Sequence, residues 1–220
     1  MKDIFSIMHD RRSIRKFSDK KITKDVLEQI LEAGFRAPFA AQLSSIVYTS
    51  DKDKMKKFRG IGVYPTTQIL MIFLIDYNRM EKIIKARGYE NVSDDSMSLW
   101  LGIQDVTLVI ENIILASEAL GLGSVLLGVV PQKADLVSEV FTVPQRVFPV
   151  VGLCLGYPDP NVETDIRPRY PLEYSAFEDE YKDLSEDEIN ECMKSMDEGY
   201  LTQGYYIKNK AKVPLPRDKD

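Results

Sequence analysis

The stretch at residues 102–120 constrains the fold more than any other part of this chain, because it is apolar on nearly every side of a helix. Its apolar side chains follow helical spacing: Val106, Leu108, Val109, Ile110, Ile113, Ile114, Leu115, Ala116, Ala119 and Leu120. At 1.5 Å per residue such a helix is about 28 Å long. A helix of this kind is buried on several sides, and in a chain of 220 residues a second subunit is a natural cover. The sequence therefore predicts an obligate dimer.

A shorter apolar stretch, residues 69–75, has no polar position, which is typical of a central strand covered on both faces. Further strands are predicted at residues 46–49, 124–127 and 148–155. A short helix capped by Asp3 carries Ile4, Phe5 and Met8 on one face. The other predicted helices are residues 24–34 with Thr23 as N-cap and Gly34 as stop, 133–141, and a helix to about Asp197 that starts at a Ser185–Glu188 capping box.

Two segments are less regular. Charges and tyrosines mix without a clear period over residues 77–101, which leaves open a mobile cover over a site or a surface helix and loop. The tail at residues 199–220 is polar and bears tyrosines.

Composition excludes several classes of function. A net charge of −5 argues against a general nucleic-acid binder. His9 is the only histidine, so histidine-based metal clusters and most Ser-His-Asp schemes are excluded, and no metal site is predicted. Cys154, in a predicted core strand, and Cys192, in a predicted surface helix, lack the spacing of a metal site. With no signal peptide and no long apolar run, the sequence predicts a cytoplasmic protein without membrane or nucleic-acid partners.

A dense cluster of cations lies near the N-terminus, in residues 11–17, which we call the basic segment. It holds three arginines, a lysine and a serine. Arg11, Ser13 and Arg15 alternate, so an extended chain projects them from one side. Guanidinium groups beside a hydroxyl form a receptor for a compact anion, above all a phosphate monoester. A solvated basic turn is the other interpretation of such a short string.

The order of four motifs resembles the FMN-dependent nitroreductase family: RRSIRKF, then APFAAQ, then ALGLGSVLLG, then LGYPDP followed by RPR. The resemblance covers roughly residues 4–175. It implies an α+β fold with a central, mainly antiparallel sheet flanked by helices. It also implies an intertwined homodimer with two FMN sites at the subunit interface. The corresponding division is an FMN-binding domain at residues 1–180 and a C-terminal helix and tail at 181–220.

The resemblance also implies the cofactor-binding residues. The phosphate would contact the basic segment and a later basic pair, namely Arg11, Arg12, Ser13, Arg15, Arg167 and Arg169. Residues 37–42, which we call the small-residue loop, would lie against the isoalloxazine ring through Pro38, Phe39, Ala40 and Gln42. The family pattern has serine where this chain has Phe39 and asparagine where it has Gln42. The backbone N–H of Gly128, beside Val129, would donate to flavin N5.

We expect an FMN-dependent NAD(P)H oxidoreductase that reduces a nitroaromatic, a quinone or a similar small acceptor by ping-pong hydride transfer. No side chain is assigned as acid or base. One alternative is a specialised flavin enzyme resembling iodotyrosine deiodinase or the cobalamin lower-ligand synthase. Another is a flavin-binding or storage protein with little turnover.

Overall fold

A computed structural model describes residues 3–90 and 96–204 of the chain. These residues form two compact units, whose boundary lies between Thr164 and Asp165. The first unit contains all strands of the described residues, and the second contains a long helix near its C-terminal end. Residues 205–220 of the tail predicted at 199–220 lie outside the described residues, as does the centre of the irregular segment, residues 91–95.

The first unit is built on an antiparallel sheet of four strands. They are β1 (Ser44–Thr49), β2 (Ile69–Asp76), β3 (Gly123–Leu127) and β4 (Val147–Gly156). Their order in space is β1-β2-β4-β3, and every neighbouring pair is antiparallel. The predicted α+β class with a mainly antiparallel sheet is confirmed. The predicted central strand is β2, which lies between β1 and β4.

Seven α-helices accompany the sheet in the described residues. They are α1 (Ile4–Asp10), α2 (Lys24–Gly34), α3 (Lys52–Lys57), α4 (Tyr77–Ala86), α5 (Ser96–Ala119), α6 (Ala134–Phe141) and α7 (Glu186–Thr202). The predicted caps are present: the Asp3 carboxylate accepts from two N–H groups of α1, Thr23 accepts from Val26, and Ser185 and Glu188 form the capping box of α7. Short 3₁₀ turns occur at Arg59–Ile61, Val130–Lys133 and Leu172–Tyr174.

Alternation along β2 divides the core into two layers. Met71, Phe73 and Ile75 pack on one face with residues of α2 and α5. Leu70, Ile72 and Leu74 pack on the other face with residues of α3 and α6. All six side chains are essentially inaccessible to solvent, so the strand is covered on both faces as its sequence predicts.

The long helix α5 is the centre of the first core layer. It starts at Ser96, earlier than the predicted start at residue 102, and runs for 24 residues. Gly102 lets it approach the sheet closely, because a Cβ there would lie 2.7 Å from Cγ2 of Ile75. Among the described helices only α5 is long and apolar enough to cross a membrane, but its packing on α2 and β2 is that of a core helix.

Part of α5 and α1 remains uncovered in the single chain. Leu99, Trp100 and Leu108 of α5 are exposed, and so are Ile4, Phe5 and Met8, the apolar face predicted for α1. Ile7 is the buried residue of α1. Large exposed apolar side chains on two neighbouring helices are typical of a surface that another protein covers.

The irregular segment contains a surface helix, α4, over residues 77–86. The structure therefore agrees with the surface-helix interpretation there. The helix α7 continues beyond the predicted end near Asp197, to Thr202. Its Cys192 is buried rather than on the surface, and Cys154 is buried in β4; both thiols are unpaired.

Candidate functional site

The basic segment follows the free edge of the sheet. Ser13 forms a parallel bridge with Ser124 of β3, and the Ile14 N–H donates to the Ser124 carbonyl at 2.8 Å. Ile14 and Phe17 are only 8% and 2% exposed. Because Ile14 points into the core, its neighbours Ser13 and Arg15 lie on the other side of the chain.

Two glycines make room for these apolar side chains. A Cβ at Gly123 would lie 2.4 Å from Cγ1 of Ile14, and a Cβ at Gly156 would lie 2.7 Å from Cδ1 of Phe17. Such contacts are far too short for any residue but glycine. These glycines therefore let the basic segment lie directly against β3 and the end of β4.

The arginines of the basic segment differ from its lysine in their ion pairing. In the described part of the chain, Arg11, Arg12 and Arg15 form no ion pair, and the Arg15 guanidinium contacts the Ser13 carbonyl at 3.4 Å. Lys16 differs, since its ammonium lies 3.1 Å from the Asp159 carboxylate. The Asn161 N–H and the Lys16 ammonium hold the pKa of Asp159 below its usual value. Three guanidinium groups thus remain available to an anion.

The small-residue loop connects α2 to β1 and is held by a buried carboxylate. Asp105 of α5 is 1% exposed and accepts from the N–H groups of Ala40, Ala41 and Leu43 at 2.6, 3.1 and 2.9 Å. Gln42, between these donors, has a left-handed backbone with φ of 52°. The loop is fixed by its backbone, so its side chains are free to face outward.

A guanidinium supports the same loop from α4. The Arg79 Nη2 donates to the Gln42 carbonyl at 2.6 Å and to the Ser44 carbonyl at 2.8 Å. Pro38, Phe39, Ala40 and the Gln42 side chain are exposed. The loop forms one wall of a cavity of about 600 Å³ whose other walls come from α4 and α5.

Gly128 directly follows β3 at the end opposite Gly123. Its N–H donates to no acceptor within the described residues, and both Gly128 and Val129 are exposed. Ser124, which bridges Ser13, lies four positions earlier on the same strand. At 3.3 Å per residue the basic segment and the Gly128 amide are about 13 Å apart along one edge of the sheet.

Arg167 and Arg169 belong to the second unit. The Arg167 Nη1 donates to the Gln203 side chain at 2.7 Å, and the Arg169 Nη1 donates to the carbonyls of Arg167 and Pro168 at 2.9 and 3.0 Å. Pro168 packs on α7, where a Cβ at Gly199 would lie 2.8 Å from its Cβ. The two arginines thus sit on a tight, supported turn.

Sequence reasoning missed four residues that build the site: Asp105, Arg79, Gly123 and Gly156. A lone aspartate inside the apolar stretch of α5 was the available signal for Asp105, because a charge is buried in such a place only with compensating partners. The sequence offers no comparable signal for Arg79, whose acceptors are both backbone carbonyls.

Comparisons with known proteins agree on one family. The model of the Nitroreductase family matches residues 8–62 and 65–157. The NADPH-flavin oxidoreductase of Vibrio harveyi is 32% identical over 199 residues, which cover 87% of this chain and 80% of that protein.

Solved structures give the same result. Nitroreductase A from Vibrio parahaemolyticus superposes with a TM-score of 0.81 at 32% identity, covering 97% of this chain and 93% of that one. The NADPH:FMN oxidoreductase of Vibrio harveyi, solved with NAD⁺, gives 0.80 at 29% identity, with 96% and 92% covered.

Proposed function

We propose, since this chain belongs to the nitroreductase family, that it reduces small electrophilic acceptors such as nitroaromatics, quinones or free flavin in a ping-pong cycle. The sequence prediction of an FMN-dependent NAD(P)H oxidoreductase is confirmed by the family and the named relatives. When bound, FMN supplies the redox chemistry, because it accepts a hydride from NAD(P)H and passes electrons to the second substrate. The choice of acceptor, the order of events and the residue roles are our proposal.

The observation that carries the proposal is the unpaired arginine cluster of the basic segment. Three guanidinium groups that form no ion pair with residues 3–90 or 96–204 favour a dianion over any neutral ligand, since each adds charge-assisted hydrogen bonds. The terminal phosphate of FMN carries such a charge, whereas in FAD the corresponding phosphate is esterified. Arg11, Arg12, Ser13 and Arg15 would hold it, and the family resemblance alone gives Arg167 and Arg169 the role of phosphate ligands.

The ring would lie between the small-residue loop and Gly128. Pro38, Phe39 and Ala40 present a flat, mostly apolar wall, and the Gln42 amide offers both a donor and an acceptor to the polar edge of the ring. The Gly128 N–H, which has no acceptor in the part of the chain that the structure describes, would donate to flavin N5. The chain thus orients the ring, and no side chain is assigned as the acid that delivers a proton to the acceptor.

The same proposal includes a cytoplasmic homodimer with two FMN sites at its subunit interface. Its support is the exposed apolar surface of α1 and α5, which includes Phe5 and Trp100. A second copy would remove this surface from water and contribute roughly 25 cal/mol for each Å² buried. Sedimentation equilibrium should give twice the 25.1 kDa chain mass; a stable flavin-loaded monomer would contradict this assembly.

The experiment that tests the function starts from the purified protein's visible spectrum. We expect a flavin spectrum, FMN as the chromophore released by heat, and steady NAD(P)H oxidation when a nitroaromatic, a quinone or free flavin is added. A protein that binds FMN without turnover with any of these acceptors would be a storage protein instead. FAD as the released chromophore would contradict the phosphate assignment.

A further inference from the structure

We propose that Asp105 is a positioning residue that holds the small-residue loop against the flavin ring through three backbone hydrogen bonds. The inference rests on the proposed function for the identity of the ring, but its geometry belongs to the chain itself. Asp105 touches none of the reacting atoms. It acts through the loop, whose backbone it fixes.

The contacts are divided between the two carboxylate oxygens. Oδ1 accepts from the Ala40 N–H at 2.6 Å, and Oδ2 accepts from the N–H groups of Ala41 and Leu43 at 3.1 and 2.9 Å. The donors lie 62 to 65 positions away in sequence, so this is a tertiary anchor rather than a helix cap. The intervening Gln42 N–H has no acceptor within the described residues.

A neutral amide or an apolar side chain cannot accept all three of these N–H groups. An isolated ionised carboxylate in a protein interior is strongly unfavourable, whereas one that accepts several N–H groups is compensated by charge-assisted bonds. The three donors converge only because the left-handed Gln42 turns the chain between Ala41 and Leu43. The buried Asp105 carboxylate and the left-handed backbone of Gln42 therefore depend on each other.

The consequence for the flavin follows from the direction of the loop. Asp105 engages the backbone of residues 40, 41 and 43 from the α5 side, while Pro38, Phe39 and the Gln42 side chain are exposed. The carboxylate thus binds only the loop backbone and makes no hydrogen bond to the side chains that would face the ring. If Asp105 is lost, the loop backbone shifts and the ring wall shifts with it.

The first test needs no variant. In the flavin-free parent protein, amide hydrogen exchange measured by NMR should show protection of Ala40, Ala41 and Leu43, with the Gln42 amide, between them, exchanging at least about tenfold faster, the effect of one charged hydrogen bond. Equal exchange at all four amides would overturn the anchor. Because FMN is absent, this outcome does not depend on the proposed function.

Two substitutions of Asp105 should reduce the protection of the loop amides to different extents. Asp105→Asn keeps one carbonyl oxygen, so it can satisfy either the single donor or the pair. We expect it to keep the Ala41 and Leu43 bonds and to lose about tenfold or more of the protection at Ala40. Asp105→Ala should remove protection at all three amides. The matched control is Asp51→Asn, because Asp51 also accepts two backbone N–H groups, but at the exposed start of α3.

The effect of Asp105 on the flavin is measured through the spectrum, the midpoint potential and the affinity of bound FMN. With FMN bound, Asp105→Asn should shift the visible spectrum and the midpoint potential of the flavin and weaken FMN binding about tenfold, while Asp51→Asn changes none of these. Protected amides in the parent with an unaltered flavin in Asp105→Asn would overturn the ring link while leaving the anchor. A parent protein that binds no FMN would overturn both the proposed function and the effect of Asp105 on the flavin. The hydrogen bonds between Asp105 and the loop would still stand.

Discussion

The basic segment and the small-residue loop are both expected to contact the cofactor, but they are attached to the protein in opposite ways. The basic segment is held by apolar side chains, Ile14 and Phe17, which fill spaces left by two glycines. The loop is held by polar groups, the Asp105 carboxylate and the Arg79 guanidinium, which bind its backbone.

The difference shows how each region keeps its functional groups available. An apolar anchor uses no charged group, so the arginines of the basic segment form no ion pair with the described residues and can bind an anion. The loop is bound instead through its backbone, because the buried Asp105 carboxylate accepts from its N–H groups and the exposed Arg79 guanidinium donates to the Gln42 carbonyl. The basic segment thus exposes charged side chains such as Arg15, and the loop exposes the side chains of Pro38 and Phe39.

The largest effect should come from filling a glycine space beneath the basic segment. Gly123→Ala forces a Cβ to 2.4 Å from Cγ1 of Ile14, and overpacking of this severity costs about 3 kcal/mol of unfolding free energy. We expect urea unfolding to show this loss and FMN titration to show weakened binding. Gly60→Ala is the control, because its Cβ would meet no atom within 4 Å; equal behaviour of the two variants would refute the glycine argument.

The next largest effect should be a loss of FMN affinity without a loss of protein stability. Arg15→Ala removes an exposed guanidinium with no ion pair in the described residues, so FMN affinity should fall by about 2 kcal/mol while the urea midpoint stays unchanged. Isothermal titration of FMN and unfolding of the flavin-free protein measure the two quantities. An unchanged dissociation constant would mean that the cluster is only a solvated basic turn.

A smaller effect is expected at the second support of the loop. Arg79→Met keeps much of the side-chain volume but leaves the carbonyls of Gln42 and Ser44 to water, at a cost of about 1 kcal/mol in unfolding free energy. FMN affinity should fall less than in Arg15→Ala, because the phosphate contacts remain. Lys82→Met, on the exposed surface of the same helix α4, is the control. A larger loss of FMN affinity than in Arg15→Ala would reverse the assigned roles of the two regions.

The smallest effect is expected at Gln42, where one substitution should raise protein stability and yet weaken flavin binding. Gln42 has φ of 52°, a conformation that costs a non-glycine residue about 1 kcal/mol, partly offset by the entropy that glycine would lose. Gln42→Gly should therefore raise the unfolding free energy by about 0.5 kcal/mol and still weaken the contact with the flavin ring. The control is Thr142→Gly, with φ of 54°, which should stabilise the protein without any effect on FMN.

The sequence predicted the sheet and most helices because their signals are local. The seven apolar residues of β2 and the caps Thr23 and Ser185 act over a few positions. The start of α5 was missed because residues 96–101 have no regular period. Asp105 and its donors are more than 60 positions apart, and no local pattern encodes such a contact. The same applies to Gly123, whose partner Ile14 is recognised only in three dimensions.

The central position of β2 also determines when this protein can fold during synthesis. Its partner β4 is paired from Ile69–Leu155 to Asp76–Val147, roughly 70 to 90 positions later in the chain. Such a separation makes the contact order high and folding slow. Until β4 has been synthesised, β2 can pair only with β1, so its other edge and its apolar side chains are open to aggregation. We expect the nascent chain to depend on chaperones until β4 has left the exit tunnel, and the soluble yield to rise when translation is slowed by growth at low temperature.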